Sequence, residues 1–135
     1  MEKSRYQLER LSLLIRTSIF LYEKGELLEY RPNAAFNPIR DNRMFREKLV
    51  ALAGEQEEPL LYQDGWQVIY TCIRKGNSFL LSGPVSLENI GNVELRRYYR
   101  EYGMKSGSGR QIPAAPLSLI ITVAQMMTRE FTGRE

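Results

Sequence analysis

The sequence predicts an α+β domain in which about five antiparallel strands form a sheet flanked by helices. Short runs of strand-forming residues are joined by tight, glycine-containing turns at Gly25, Gly65 and Gly76. Longer segments with apolar residues at helical spacing precede, interrupt and follow these runs. The length of 135 residues suits one domain spanning 1–135.

The first part of the chain is predicted to form a helix, a hairpin and a second helix. Apolar side chains recur along one stripe of residues 4–17, which is typical of a helix lying on a core. Residues 19–30 are expected to form a β-hairpin, in which Gly25 adopts the positive φ of the turn. Asp41 or Asn42 caps the next helix, which ends near Gly54.

Three more strands and two helices are predicted in the rest of the chain. The strands cover 60–62, 66–73 and 78–82, and the helices cover 93–102 and 116–131, separated by a loop at 105–110. All five strands are expected to connect consecutively. Strand 66–73 is apolar on both faces, so it is expected to be central, with Ile69 and Ile73 facing the first and last helices. Strand 78–82 is expected to stop at Gly83-Pro84, because proline donates no hydrogen bond to a ladder.

Composition favours binding over catalysis. The chain has no histidine, one cysteine (Cys72) and only two aspartates, Asp41 and Asp64. A Ser–His or Cys–His catalytic pair and a Cys/His zinc site therefore have no residues to form them. A cluster of aspartates around a divalent cation is also disfavoured. We expect a protein that is not an enzyme and has neither a metal nor a cofactor.

Charge and hydropathy favour a cytoplasmic protein that does not contact a membrane. No apolar run approaches the ~20 residues that span a bilayer, and the N-terminus does not resemble a signal peptide. A lone cysteine suits a reducing compartment. The net charge is +3, and Arg96, Arg97 and Arg100 share one face of a predicted helix. A solvated face is favoured there over a phosphate-binding one.

Several stretches resemble a known family. They are residues 19–28 after a first helix, Pro59–Tyr62, Ser78–Ser86 with its Gly83-Pro84-Val85, and Ile112-Pro113 before the last helix. This succession resembles the N-terminal sensor region of AraC-family transcriptional regulators from Gram-positive bacteria, including regulators of YSIRK-type surface antigens. The resemblance implies a PAS-like or GAF-like, ligand-sensing domain. In that family a helix-turn-helix domain follows, so we expect a piece of a longer regulator that contacts DNA only through a C-terminal domain absent here.

An effector pocket is predicted on one face of the sheet. As the resemblance implies, a small-molecule effector would lie between the sheet and the helices that cover that face. Stacking rings and hydroxyl groups suit a mostly apolar pocket with a few orienting polar groups. The candidate residues are Tyr62, Trp66, Tyr70 and Ser82. Ordinary core packing is the alternative for each aromatic residue.

Second apolar stripes on the terminal helices predict a homodimer. Each stripe lies opposite the main apolar face, and a domain of this size has little means of burying both sides. The candidate interface consists of Tyr6, Leu13, Leu119, Val123 and Met126. The function expected is a non-catalytic sensor domain that dimerises and passes a ligand signal through its last helix. The alternative is a ligand-free dimerisation or protein-interaction module on the same fold.

Overall fold

A computed structural model describes residues 2–31, 36–104 and 111–133. These residues form five helices and five strands, and the predicted loop at 105–110 lies outside them. In chain order the elements are α1 (Glu2–Ile15), β1 (Ile19–Glu23), β2 (Glu26–Tyr30), α2 (Pro38–Asp41), α3 (Arg43–Gly54), β3 (Leu60–Gln63), β4 (Val68–Lys75), β5 (Ser78–Ser86), α4 (Asn92–Glu101) and α5 (Leu117–Thr132).

The five strands form one antiparallel sheet in the order β2-β1-β5-β4-β3. The predicted α+β class and five-stranded antiparallel sheet are confirmed. Three of the four predicted consecutive pairs, β1–β2, β3–β4 and β4–β5, are present, but the prediction that β2 pairs with β3 was wrong, since β1 pairs with β5 instead. β4 is an interior strand covered on both faces, as predicted, although it is not the middle strand. β5 is the central strand, and β2 and β3 lie at opposite edges. Hairpin turns specify only neighbouring pairs, whereas the β1–β5 pairing joins segments about 60 residues apart, with Ile19 opposite Ser82.

Helices cover both faces of the sheet, and each face has its own core. Ile69 and Ile73 of β4 lie in the core beneath α1 and α5, as predicted. Tyr70 and Cys72 point the other way, into a core closed by α2, α3 and α4. Side chains of a strand alternate between faces, so a strand with a core on each side is apolar throughout.

β5 continues through Gly83-Pro84 to Ser86, so the prediction that it stops there was wrong. Ser82 lies opposite Thr71 and Val85 lies opposite Ile69, which leaves Gly83 and Pro84 facing one residue of β4. This β-bulge interrupts the ladder, and a proline without an N–H group is accommodated there. The Gly83–Pro84 peptide bond is cis.

Two asparagine caps position the helices on the second face. The side chain of Asn42 accepts a hydrogen bond from the backbone N–H of Phe45 at 3.0 Å, so Asn42, rather than Asp41, caps α3. Asn37 caps α2 in the same manner, through the N–H of Ile39 at 2.9 Å. Both caps satisfy amide groups that the first turn of a helix leaves unpaired.

Candidate functional site

Three of the four predicted effector residues come together, within a closely packed aromatic core. The Phe45 ring lies 4.7 Å from the Tyr70 ring and 6.0 Å from the Tyr62 ring, each in an edge-to-face arrangement. Trp66 packs edge-on against Tyr98 of α4 at 6.4 Å. Tyr70 and Tyr98 are fully buried. The Tyr70 ring is therefore part of the core beneath α3 and α4.

The hydroxyl groups of this aromatic core are paired within the protein. The Tyr70 and Tyr98 hydroxyls hydrogen bond to each other, and the Tyr102 hydroxyl donates to Asp64 Oδ2 at 2.8 Å. Burial raises the pKa of Tyr98 and of Tyr102, and the carboxylate of Asp64 raises the latter further. Both phenols therefore stay neutral at physiological pH and hold helix α4 against the sheet.

Trp66 lies at the edge of the aromatic core, in the turn before β4. Asp64 Oδ1 accepts the N–H groups of Trp66 and Val68 at 2.8 and 3.1 Å, so β4 begins at Val68 and not at Trp66 as predicted. The indole Nε1–H donates to Glu101 Oε2 at 2.6 Å. One side of the ring borders a shallow depression of about 210 Å³ between this turn and the start of α4.

Ser82 does not belong to this group. It lies opposite Ile19 and Thr71 in the sheet, and Ile19 is part of the core beneath α1 and α5. Directly opposed residues of antiparallel strands share a face, so Ser82 points away from Tyr70. The two residues belong to different strands, and sequence alone leaves their relative register open.

Tyr70→Phe is expected to lower the free energy of unfolding by about 1–3 kcal/mol, because it leaves the buried Tyr98 hydroxyl without its partner. The double variant Tyr70→Phe/Tyr98→Phe lacks both hydroxyls, so neither is left buried without a partner. Its loss in the free energy of unfolding should therefore be smaller than the sum of the losses in the two single variants. Urea unfolding of the two single variants and the double variant measures these losses. Tyr6→Phe is the matched control, because Tyr6 is 59% exposed. Additive losses would contradict the Tyr70–Tyr98 hydrogen bond.

The structure separates the predicted interface residues into exposed and buried groups. Tyr6 and Leu13 lie on the solvent side of α1, 59% and 53% exposed, and Met126 of α5 is also exposed. Leu119 is half-buried against the core. Val123 is only 2% exposed and belongs to the core, so its assignment to a surface stripe was wrong. Because α5 packs on both the sheet and α1, its buried arc is wide enough to include this residue.

A second cavity, of about 600 Å³, lies beside the bulged end of β5. Its described walls come from six separate parts of the chain. They are residues 16–17 after α1, 36–37 before α2, Pro84 in the bulge, Asn89 in the following loop, Tyr99 of α4 and residues 111–114 before α5. We call this cavity the end pocket.

Backbone and side-chain hydrogen bonds hold the end pocket together. Asn37 is buried, and its Nδ2 donates to the carbonyl of Gly83 at 3.0 Å, which fastens the segment before α2 to the bulge. The backbone N–H of Ser86 donates to the carbonyl of Pro113 at 2.8 Å, and the backbone N–H of Ala115 donates to the carbonyl of Ser86 at 2.9 Å. The segment that leads into α5 is thereby attached to the end of the central strand.

The described lining of the end pocket contains both aromatic and polar residues. Phe36 and Tyr99 meet edge-to-face at 5.5 Å and form the aromatic part of the wall. Thr17, Asn89 and Gln111 add polar groups. A pocket of this volume and character suits a small organic molecule. The sequence predictions missed it because its residues are scattered from 16 to 114, and no spacing rule relates them.

Comparisons with known proteins found no match among protein-family models, curated proteins or solved structures. Among the described residues no helix has the length and apolar character needed to cross a membrane. The same part of the chain contains no group of three or more carboxylates or thiols placed to hold a metal ion.

Burial raises the pKa of the Cys72 thiol to about 12, so this thiol is protonated at neutral pH and is a poor nucleophile.

Proposed function

We propose that this chain is a non-catalytic, PAS-like or GAF-like sensor domain of a cytoplasmic bacterial transcriptional regulator, and that a small-molecule effector binds in the end pocket. The observation that carries this proposal is the pocket of about 600 Å³, whose lining combines aromatic and polar residues. The placement in an AraC-like regulator rests on the sequence resemblance alone.

The position of the end pocket supports a route from effector to signal. Residues 111–114 line the pocket, and α5 begins at Leu117, three residues later. Arg16, which follows α1 directly, donates to the carbonyl of Ala114 at 2.7 Å. An effector that favours one arrangement of this segment therefore shifts the populations of α5 positions relative to α1. In a full regulator, α5 would carry that shift toward the DNA-binding domain.

The homodimer remains part of the proposal, with a smaller interface than the sequence predicts. Tyr6 and Leu13 support it, since both extend from the solvent side of α1. A ligand-free dimerisation module is the second candidate function. The close packing around Tyr70 favours that candidate, because side chains surround the ring where the sequence predicts an effector pocket.

Asn89→Trp is expected to weaken effector binding strongly, because Asn89 is exposed and lines the end pocket, where an indole would take up part of the space for the effector. A fragment library screened by ligand-observed NMR against the unmodified chain should give binders, and those binders should be lost in the variant. Asn77→Trp is the matched control, since Asn77 is also exposed and lies in the turn between β4 and β5. Absence of binders, together with a dimer in light scattering, would favour the dimerisation module instead.

A further inference from the structure

Arg16 lines the end pocket and has a backbone conformation that residues other than glycine adopt uncommonly. It follows the last residue of α1 and has φ of 62°, in the left-handed region. Glycine is the usual residue at this position after a helix, because a side chain there costs roughly 1–2 kcal/mol. The chain nevertheless places a long, charged side chain at this point. Such a residue is a candidate for a functional role.

The Arg16 side chain contacts a second segment that lines the pocket. Its Nη2 donates to the carbonyl of Ala114 at 2.7 Å, a contact between residues 98 positions apart. This hydrogen bond uses one of the five N–H donors of a guanidinium, which is always protonated in proteins. Within the described part of the chain Arg16 forms no salt bridge.

No acidic residue is found among the described residues that line the end pocket, and Arg16 is the charged one. The positive charge is therefore not neutralised from within that lining. Burial raises the pKa of Tyr99 to about 12, so its phenol is neutral at physiological pH and adds no negative charge. Guanidinium groups bind carboxylates and phosphates through paired, charge-assisted hydrogen bonds.

We propose that the end pocket binds a small organic anion, whose carboxylate or phosphate group pairs with Arg16 and whose apolar body lies on Phe36 and Tyr99. This assignment rests on the proposed sensor function and specifies the effector's chemical class. The aromatic pair gives the pocket an apolar surface, and Arg16, which also lines the pocket, is hydrogen bonded to the segment before α5. An anion at Arg16 thus either competes with the hydrogen bond between Arg16 and Ala114 or reinforces it. In both cases anion binding is coupled to the segment before α5.

The test compares sodium benzoate and phenyl phosphate with the neutral benzamide, by ligand-observed NMR titration of the unmodified chain. At least one of the two anions is expected to bind about 10-fold or more tightly than benzamide, since charge-assisted hydrogen bonds are stronger than neutral ones. The tighter of the two anions distinguishes a carboxylate from a phosphate site. Inorganic phosphate and acetate lack the apolar body, so both should bind more weakly than phenyl phosphate and sodium benzoate.

Variants at Arg16 separate binding from folding. Arg16→Gln keeps a hydrogen-bond donor but removes the charge, and it should weaken anion binding about 10-fold or more. Arg16→Lys should retain part of the affinity. Arg16→Gly removes the side chain and relieves the left-handed backbone strain, so it should lose anion binding while its melting temperature stays equal or rises.

Four outcomes would overturn the anion assignment. One is benzamide binding as tightly as both anions in the end pocket, and another is Arg16→Gln binding them as tightly as the unmodified chain. Neutral fragments bound in the pocket with no anion binding would likewise contradict it, and each of these results would leave the sensor function intact. Anion binding that survives Asn89→Trp would place the ions elsewhere on the surface and would also contradict the assignment. If no compound of any charge binds, the proposed sensor function itself fails.

Discussion

Val123→Glu is expected to unfold the domain or to leave it with little stability. Val123 is 2% exposed in the core beneath α1 and α5, and a carboxylate without a partner there costs about 3–5 kcal/mol. Single domains have only about 5–15 kcal/mol of stability in total. Urea unfolding followed by the fluorescence of Trp66, the single tryptophan, measures the loss.

Leu13→Glu introduces the same charge on the solvent side of α1 and is the matched control. Leu13 is 53% exposed, so we expect a change in the free energy of unfolding of about 0.5 kcal/mol or less. Because Leu13 belongs to the proposed dimer interface, this variant should also shift light scattering toward the monomer. A Val123→Glu protein with unchanged stability and lost dimerisation would contradict the observed packing of α5 and return Val123 to the interface.

Gly83→Ala is expected to lower the free energy of unfolding by about 3 kcal/mol or more, from overpacking and backbone strain together. A Cβ atom at Gly83 would lie 2.6 Å from Cδ2 of Tyr70 and 3.2 Å from the carbonyl oxygen of Ile69. The backbone there has φ of +140°, which residues other than glycine rarely adopt. Tyr70 is fully buried, so its ring has little room to move away.

Gly76→Ala measures the cost of a positive φ where a Cβ atom meets no steric clash. Gly76 also has a positive φ, +61°, but nothing lies within 4 Å of a Cβ atom built on it. Its substitution should therefore cost only about 1–2 kcal/mol, the penalty of a left-handed residue. Chemical denaturation of both variants gives the comparison. Equal losses would show that the contact with Tyr70 yields easily, and that the bulge is less tightly packed than the structure indicates.

Helix α4 shows what local patterning predicts well. The spacing of Leu95, Tyr98 and Tyr99 against Arg96 and Arg97 predicts an amphipathic helix, and the first three are buried while both arginines are exposed. Helical periodicity is a property of neighbouring residues, so it can be read without knowing the partner surface. The same holds for Ile69 and Ile73, whose shared face follows from strand alternation.

Val123 shows where patterning fails. In the sequence, Val123 lies outside the main apolar stripe of α5, to which Leu117 and Ile121 belong. The structure nevertheless buries Val123 and exposes Leu117 and Ile121. The centre of the buried arc depends on how α5 is rotated against α1 and the sheet. That rotation is decided by side chains elsewhere in the chain, so a helical projection alone does not specify which arc of the helix faces the core.

The predicted effector site failed for a related reason. Aromatic residues with hydroxyl groups suit both a pocket wall and a core, and Tyr70 belongs to the core because Tyr98 supplies its hydrogen-bond partner from another element. Ser82 was assigned to the same site, but its register with Tyr70 depends on strand pairing and on the bulge. The end pocket draws on parts of the chain that have no common pattern.

The sequence by itself determined the α+β class, the approximate positions of the helices and strands, and the burial of β4 on both faces. These features follow from periodicities of 3.6 and 2 residues and from turn residues, which act over a few positions. Only the tertiary structure decided the strand order, the continuation of β5 through Pro84 and the place of the pocket. Each of these depends on contacts between segments far apart in the chain, whose energies become defined only when the whole chain packs.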